Sequence, residues 1–169
     1  MPKTYSKLTI IIHWLSALLI IGMMGTGMIG SKLATDAPLR LNLIKLHGTV
    51  GLIVLVLTAF RLVILFTSKH PEKLAMPAWR QQMFAWNHRI IYAVIIGLTL
   101  SGIGMLITSS IGIAPFNITP DAIVDSVPRT VHGILPKLFL VLLIMHVAGV
   151  IHYQIKEGKT FARMGINRN

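Results

Sequence analysis

Four long apolar segments dominate the pattern of hydrophobic and polar positions along the chain. The uncharged runs extend over residues 8–31, 46–60, 90–120 and 138–155. A helix needs about 20 mostly apolar residues to cross the hydrocarbon layer of a bilayer. The pattern therefore predicts membrane-spanning helices at about 8–30, 44–66, 86–108 and 131–154. The predicted fold class is all-α, an integral membrane four-helix bundle that forms one domain over residues 1–169.

Composition supports a membrane location for the whole chain. Hydrophobic residues make up 54% of it, charged residues 12%, and the mean hydropathy is +0.73. An ordinary soluble domain of this length is far more polar. A cleaved signal peptide is the alternative for the first run, but that run exceeds the ~7–15 apolar residues of a typical signal and no clear A-x-A site follows.

Basic residues indicate how the bundle is oriented. With both termini inside, the cytoplasmic segments would hold Lys3, Lys7, Lys69, Lys73, Arg80, Lys156, Lys159, Arg163 and Arg168. The outer segments would hold Lys32, Arg40, Lys45 and Arg129. The positive-inside rule then predicts N-in, C-in topology. The net charge of +11 lies beside membrane segments, so anionic lipid is the expected partner and nucleic acid is not.

Histidines in otherwise apolar segments are the candidate chemistry, because an ionisable group inside a membrane is costly and indicates a function. His132 and His146 are 14 residues apart, hence on one helix face and about 21 Å apart along the axis. His13 lies near the inner end of helix 1, and His47 near the outer end of helix 2. Depth therefore pairs His13 with His146 and His47 with His132.

Two layers of paired imidazoles are the arrangement that two haem b groups with two axial histidines each would need. The chain has no cysteine, which excludes thiolate-bound clusters and covalent C-x-x-C-H haem attachment. Arg61 follows His47 by 14 residues and is predicted to face inward, where a haem propionate would pair with it. Alternatively, the Arg61 side chain extends to the lipid headgroups on the cytoplasmic side.

Other polar residues near the helix ends have weaker predictions. His152, near the inner surface, is a candidate quinone contact or a plain interfacial residue. His88 is expected to anchor the start of helix 3. Alternatively, it replaces His13 or His146 as a metal ligand. Arg129, with Lys45 and Arg40 near the outer layer, would attract an anion. Trp14 belongs to an aromatic belt and could pack on a ring bound at His13.

Several segments together resemble the bacterial membrane-bound cytochrome b561 family of small four-helix dihaem proteins. They are "YSKLTIIIHWL", "LHGTVG", "NHRIIY", "VHG", "MHVAGVIHY" and "KTFARM", and they cover nearly the whole chain. The resemblance implies that His13 and His146 hold an inner haem b and that His47 and His132 hold an outer one. One position departs from the family pattern, since Tyr153 stands where a second of two adjacent histidines is common.

The resemblance also implies a function. The expected activity is single-electron transfer from an outer-face donor, either superoxide or a redox partner protein, to a quinone such as ubiquinone. The chain would then be a superoxide:ubiquinone oxidoreductase or a pure electron carrier. A haem-bearing membrane anchor for a separate dehydrogenase is an alternative. A His-lined proton or metal transporter is another, although all five acidic residues fall in predicted loops or tails.

Overall fold

The computed structural model describes residues 4–68, 70–72, 74–119, 122–158 and 160–166. Four long helices make up most of this part of the chain. They are α1 (Lys7–Gly30), α2 (Pro38–Thr67), α3 (Ala78–Thr108) and α4 (Val127–Glu157). A 3₁₀ turn (Pro115–Asn117) and a short helix α5 (Thr160–Arg163) accompany them. Of the charged residues considered above, Lys3, Lys69, Lys73, Asp121, Lys159 and Arg168 lie outside the described residues.

Each of the four helices is long and apolar enough to cross a membrane. Their most apolar 18-residue windows have mean hydropathies of 2.0 to 2.5, yet only 6% to 22% of each window is buried inside the chain. Apolar side chains that face outward in such numbers need lipid around them, because water would penalise their exposure. The prediction of a four-helix, multi-pass membrane bundle is confirmed.

The helices begin earlier than the apolar runs predict. α2 starts at Pro38 rather than near residue 44, and α3 starts at Ala78 rather than near residue 86. The apolar run marks only the part of a helix that lies in hydrocarbon, whereas capping decides where the backbone turns helical. Proline suits the first turn of a helix, and it occupies that turn in α2 and α4. The extra turns place polar residues beyond the apolar core.

The helices pack as two pairs. α1 lies against α2 and α3 lies against α4, while the two pairs meet mainly along α2 and α3. A buried apolar cluster at the middle of the bundle joins the pairs through Val54, Val94, Ile95, Phe139 and Leu142. Val54 is only 2% exposed and Phe139 only 3%. Each lies seven residues after a predicted histidine ligand, His47 and His132 respectively, so this cluster separates the two histidine layers.

Candidate functional site

Two pairs of histidine rings face each other across the bundle. The ring centroids of His47 and His132 are 5.9 Å apart, and those of His13 and His146 are 6.4 Å apart. A bond from a metal to an imidazole nitrogen is about 2 Å, and the ring centre lies about 1 Å farther, so two rings on one metal have centres about 6 Å apart. The structure thus brings together the histidines that depth predicted, at a spacing that suits one iron between each pair.

A backbone carbonyl and a hydroxyl group hold the His47 ring. Its Nδ1 lies 3.1 Å from the carbonyl oxygen of Met23 and 3.2 Å from Oγ1 of Thr26. A carbonyl can only accept, so Nδ1 donates and the lone pair of the neutral ring is on Nε2. A metal-binding histidine is commonly oriented in this way by its second nitrogen.

The same contacts recur at His132, on the other helix pair. Its Nδ1 lies 3.0 Å from the carbonyl oxygen of Leu98 and 3.0 Å from Oγ of Ser101. Ser101 also donates to the Leu98 carbonyl at 3.0 Å, as Thr26 donates to the Met23 carbonyl at 3.0 Å. In both rings of this pair, the lone pair of the neutral imidazole is therefore on Nε2.

A glycine beside each of these rings allows the close approach. A Cβ added at Gly27 would lie 3.3 Å from Cε1 of His47, and one added at Gly102 would lie 3.4 Å from Cε1 of His132. A side chain at Gly27 would need the imidazole to shift by a few tenths of an ångström, and one at Gly102 would be at the limit of ordinary van der Waals contact. The glycines therefore belong to the geometry of the site rather than to helix packing alone.

These supporting residues follow a regular spacing that sequence reasoning missed. Thr26 and Ser101 are 75 residues apart, as are Met23 and Leu98, Gly27 and Gly102, and His13 and His88. Likewise His47 and His132 are 85 residues apart, as are Arg61 and His146. The α1–α2 pair and the α3–α4 pair thus present corresponding residues to the middle of the bundle. A search for repeated polar residues in the apolar runs would have found this correspondence.

The His13–His146 pair has different surroundings. Nη2 of Arg61 donates to Nδ1 of His13 at 3.0 Å, and its guanidinium carbon lies 5.2 Å from the centre of the Tyr92 ring. Arg61 therefore points into the bundle rather than toward the lipid headgroups. Its pairing with a haem propionate stays a prediction. Nδ1 of His146 is buried and has no hydrogen-bond partner among the residues that the structure describes.

The His47 end of the bundle also has a partly buried cationic group. Arg40 precedes His47 by seven residues, which places both on one face of α2 about two turns apart. Among the described residues, the buried Nη1 atom of Arg40 has no hydrogen-bond partner. A buried donor lacking a partner is costly, and an anionic group such as a propionate would satisfy it. The residues present at both pairs thus fit haem, with axial nitrogens and nearby cations.

His88 and Trp14 are the aromatic neighbours of the His13–His146 pair. His88 was expected to anchor the start of α3, but its ring centroid is only 4.8 Å from that of His146. Its Nδ1 donates to the carbonyl of Phe84 at 2.7 Å. The rings of Trp14 and His13 are T-shaped with a centroid distance of 5.4 Å, and Nε1 of Trp14 donates to the Met164 carbonyl at 3.1 Å.

The remaining predicted site residues lie away from the imidazole pairs. Arg129 forms an ion pair with Asp125 at 3.0 Å and donates to the carbonyl of Ile123 at 3.3 Å. His152 is exposed and lines a cavity of about 280 Å³ between the start of α3 and the end of α4. The sequence indicated the depth of His152, but only the packing of the two helices creates this cavity.

Facing imidazoles inside an apolar four-helix bundle are the arrangement of a membrane cytochrome b. The chain belongs to the prokaryotic cytochrome b561 family, whose sequence profile matches residues 4–165. It is 23% identical over 169 residues to cytochrome b561 homolog 1 of Escherichia coli (strain K12), a match that covers 95% of this chain and 96% of that protein. No solved structure matches it significantly. The family binds haem b, which makes this chain a membrane electron carrier.

Proposed function

We propose that the chain is a dihaem cytochrome b that passes single electrons across the bacterial inner membrane, from an outer-face donor to a quinone. His47 and His132 would hold one haem b, and His13 and His146 would hold the other. Bound haem would supply a one-electron iron couple. The observation that carries this proposal is the presence of two facing imidazole pairs, at 5.9 and 6.4 Å.

The supporting residues keep each ligand ready to bind iron. The carbonyls of Met23 and Leu98 hold the protons of His47 and His132 on Nδ1, so that both Nε2 atoms accept the metal without a proton shift. Fixed ring orientations also reduce the structural change that accompanies each change of iron charge. Such preorganisation suits an electron carrier, because little has to move when an electron arrives or leaves.

Apolar side chains separate the two centres. The pairs lie about 21 Å apart along α4, given 1.5 Å per residue, and Val54 and Phe139 fill the space between them with almost no exposure. A dry, apolar middle layer excludes water and ions from this part of the bundle. Electrons can then pass between the centres while protons and cations are retained on their own sides of the membrane.

The cavity beside His152 is the proposed quinone site. Its lining is mainly apolar and includes Trp79 and Phe84, while Arg80, His152 and Tyr153 provide polar groups. Its volume of about 280 Å³ is near the lower limit for ligand pockets and suits a ring-sized head group. Tyr153 is 5% exposed, and its phenol would donate to a quinone carbonyl where a second histidine is common in the family.

The opposite end of the bundle is the proposed donor side, which faces outward if both termini are cytoplasmic. Lys45 and Arg40 lie there near His47 and would attract an anion such as superoxide. Arg129 contributes less to this attraction than predicted, because Asp125 neutralises it at 3.0 Å. The donor-side charge therefore depends mainly on α2.

Removing His47 or His132 should remove one haem. We expect the wild-type protein to bind two low-spin haems b, and His47→Ala or His132→Ala to bind one, because each pair holds its own iron. Haem quantified against protein, with a reduced-minus-oxidised spectrum, measures this. His70→Ala is the matched control, since His70 is exposed, donates to the Leu65 carbonyl and packs edge-on against the ring of Tyr5 rather than against another histidine. Two haems in both ligand variants would contradict the assignment.

The hydroxyl of Thr26 should lower the potential of the haem at His47. Its oxygen accepts part of the hydrogen bond from Nδ1, which makes the ring a stronger donor to ferric iron. Thr26→Val should raise that midpoint potential by roughly 20–40 mV, if the bond contributes about 0.5–1 kcal/mol. Redox titration followed by absorbance measures the shift, and Thr26→Ser should retain the wild-type value. An equal shift in both variants would exclude the hydroxyl as its cause.

Polar groups of the cavity should control electron transfer to quinone. Tyr153→Phe and His152→Ala should slow reoxidation of the reduced haems by a short-chain ubiquinone by roughly tenfold each, as expected for loss of one hydrogen bond to the ligand. Stopped-flow absorbance measures this rate. The haem content and spectrum should not change. Wild-type rates in both variants would place the quinone elsewhere.

Charge on α2 should control the rate with superoxide. We expect Lys45→Gln to slow haem reduction by superoxide about two- to threefold at low salt and to weaken its dependence on ionic strength. Arg129→Gln should have a smaller effect, because Asp125 already neutralises this side chain. Pulse radiolysis at two salt concentrations measures both rates. Reduction that is independent of salt in the wild type would reject an anionic donor attracted by these residues.

A further inference from the structure

We propose that His88 is a second ligand for the iron at the His13–His146 centre, able to replace His13 opposite His146. The inference rests on the proposed haem at this centre. It concerns which of two imidazoles completes the coordination, whereas the two-haem proposal names only His13 and His146.

The position of His88 in the bundle corresponds to that of His13. The two are 75 residues apart, which is also the separation of Thr26 and Ser101. α3 thus carries an imidazole where α1 carries His13. His146 consequently has two imidazole neighbours from different helix pairs, with centroid distances of 6.4 Å to His13 and 4.8 Å to His88.

The hydrogen bonds of the two rings favour different protonation patterns. A guanidinium only donates, so the bond from Arg61 makes Nδ1 of His13 an acceptor, and the neutral ring then carries its proton on Nε2. The carbonyl of Phe84 only accepts, so Nδ1 of His88 donates and its Nε2 has a free lone pair. His47 and His132 have this same ligand-ready pattern. His13 acquires it only when Arg61 leaves.

The distances between the rings favour His13 over His88, in contrast to the hydrogen bonds. Two imidazoles on one iron need centres about 6 Å apart, so His13 is already well placed, whereas His88 has to withdraw from His146 by more than 1 Å. Its side chain is exposed and can make this movement. His146 can also adjust, because no hydrogen bond from the described part of the chain holds its Nδ1.

Arg61 therefore selects between two states. While Arg61 donates to His13, His88 binds the iron; when Arg61 pairs with an anionic group instead, His13 binds. The exchange breaks the bond from iron to one Nε2 and forms the bond to the other. The proton of His13 moves from Nε2 to Nδ1, so neither the net protonation nor the iron oxidation state changes.

Single and double ligand variants of the full-length protein, purified in detergent, test this exchange. His13→Ala should retain two low-spin haems and should not bind carbon monoxide when reduced, because His88 completes the coordination. His88→Ala should behave in the same way through His13. The double variant His13→Ala/His88→Ala should lose one haem or bind carbon monoxide at one iron. Haem content, the reduced spectrum and carbon monoxide difference spectra measure these outcomes.

The haem content and carbon monoxide binding of these variants decide whether His88 can replace His13. Loss of a haem in His13→Ala, or carbon monoxide binding by that variant, would overturn the inference, and so would two low-spin haems in the double variant. The haem at His47–His132 reports correct folding in every variant, and His70→Ala is the control for removal of an exposed histidine. A wild-type protein with fewer than two haems would instead reject the two-haem proposal.

Discussion

An imidazole inside a membrane has two nitrogens that need partners, and water is not available to provide them. The bundle meets this requirement for one nitrogen of His47 and His132 with a helix carbonyl and a neighbouring hydroxyl. The other nitrogen is left for a metal. Much of the local structure follows from this constraint: Thr26 and Ser101 each lie one turn after the accepting carbonyl, and glycines next to them let the rings come close.

A seven-residue spacing on α2 and α4 organises the middle of the bundle. His132, Phe139 and His146 lie on one face of α4, while His47, Val54 and Arg61 lie on one face of α2. Polar groups thus alternate with buried apolar ones every two turns, and the apolar layer separates the two imidazole pairs. Substitution of Val54 or Phe139 by a polar residue would bring a hydrated group between the centres.

The two imidazole pairs have different surroundings because α2 and α4 carry different residues at one corresponding position. Where α4 carries His146, the corresponding position of α2 carries Arg61, so this centre must take its second imidazole from α1 or α3. Two such imidazoles are present, His13 and His88. The His47–His132 centre is symmetric and held by carbonyls, whereas the other is asymmetric and lies beside a cation. Haems bound at the two pairs would therefore differ in redox properties, since hydrogen bonds and local charge tune iron potentials.

The amino-acid sequence by itself determined the membrane class, the number of helices and which histidines share a depth, because helix rise is constant and an apolar span must match the bilayer. It could not determine what each Nδ1 contacts, because the partners of His47 and His132 belong to other helices. The 4.8 Å approach of His88 to His146, the turn of Arg61 toward His13 and the cavity beside His152 were likewise decided only by tertiary packing. Depth is a property of one helix, whereas hydrogen-bond partners and cavities arise where side chains of two helices meet.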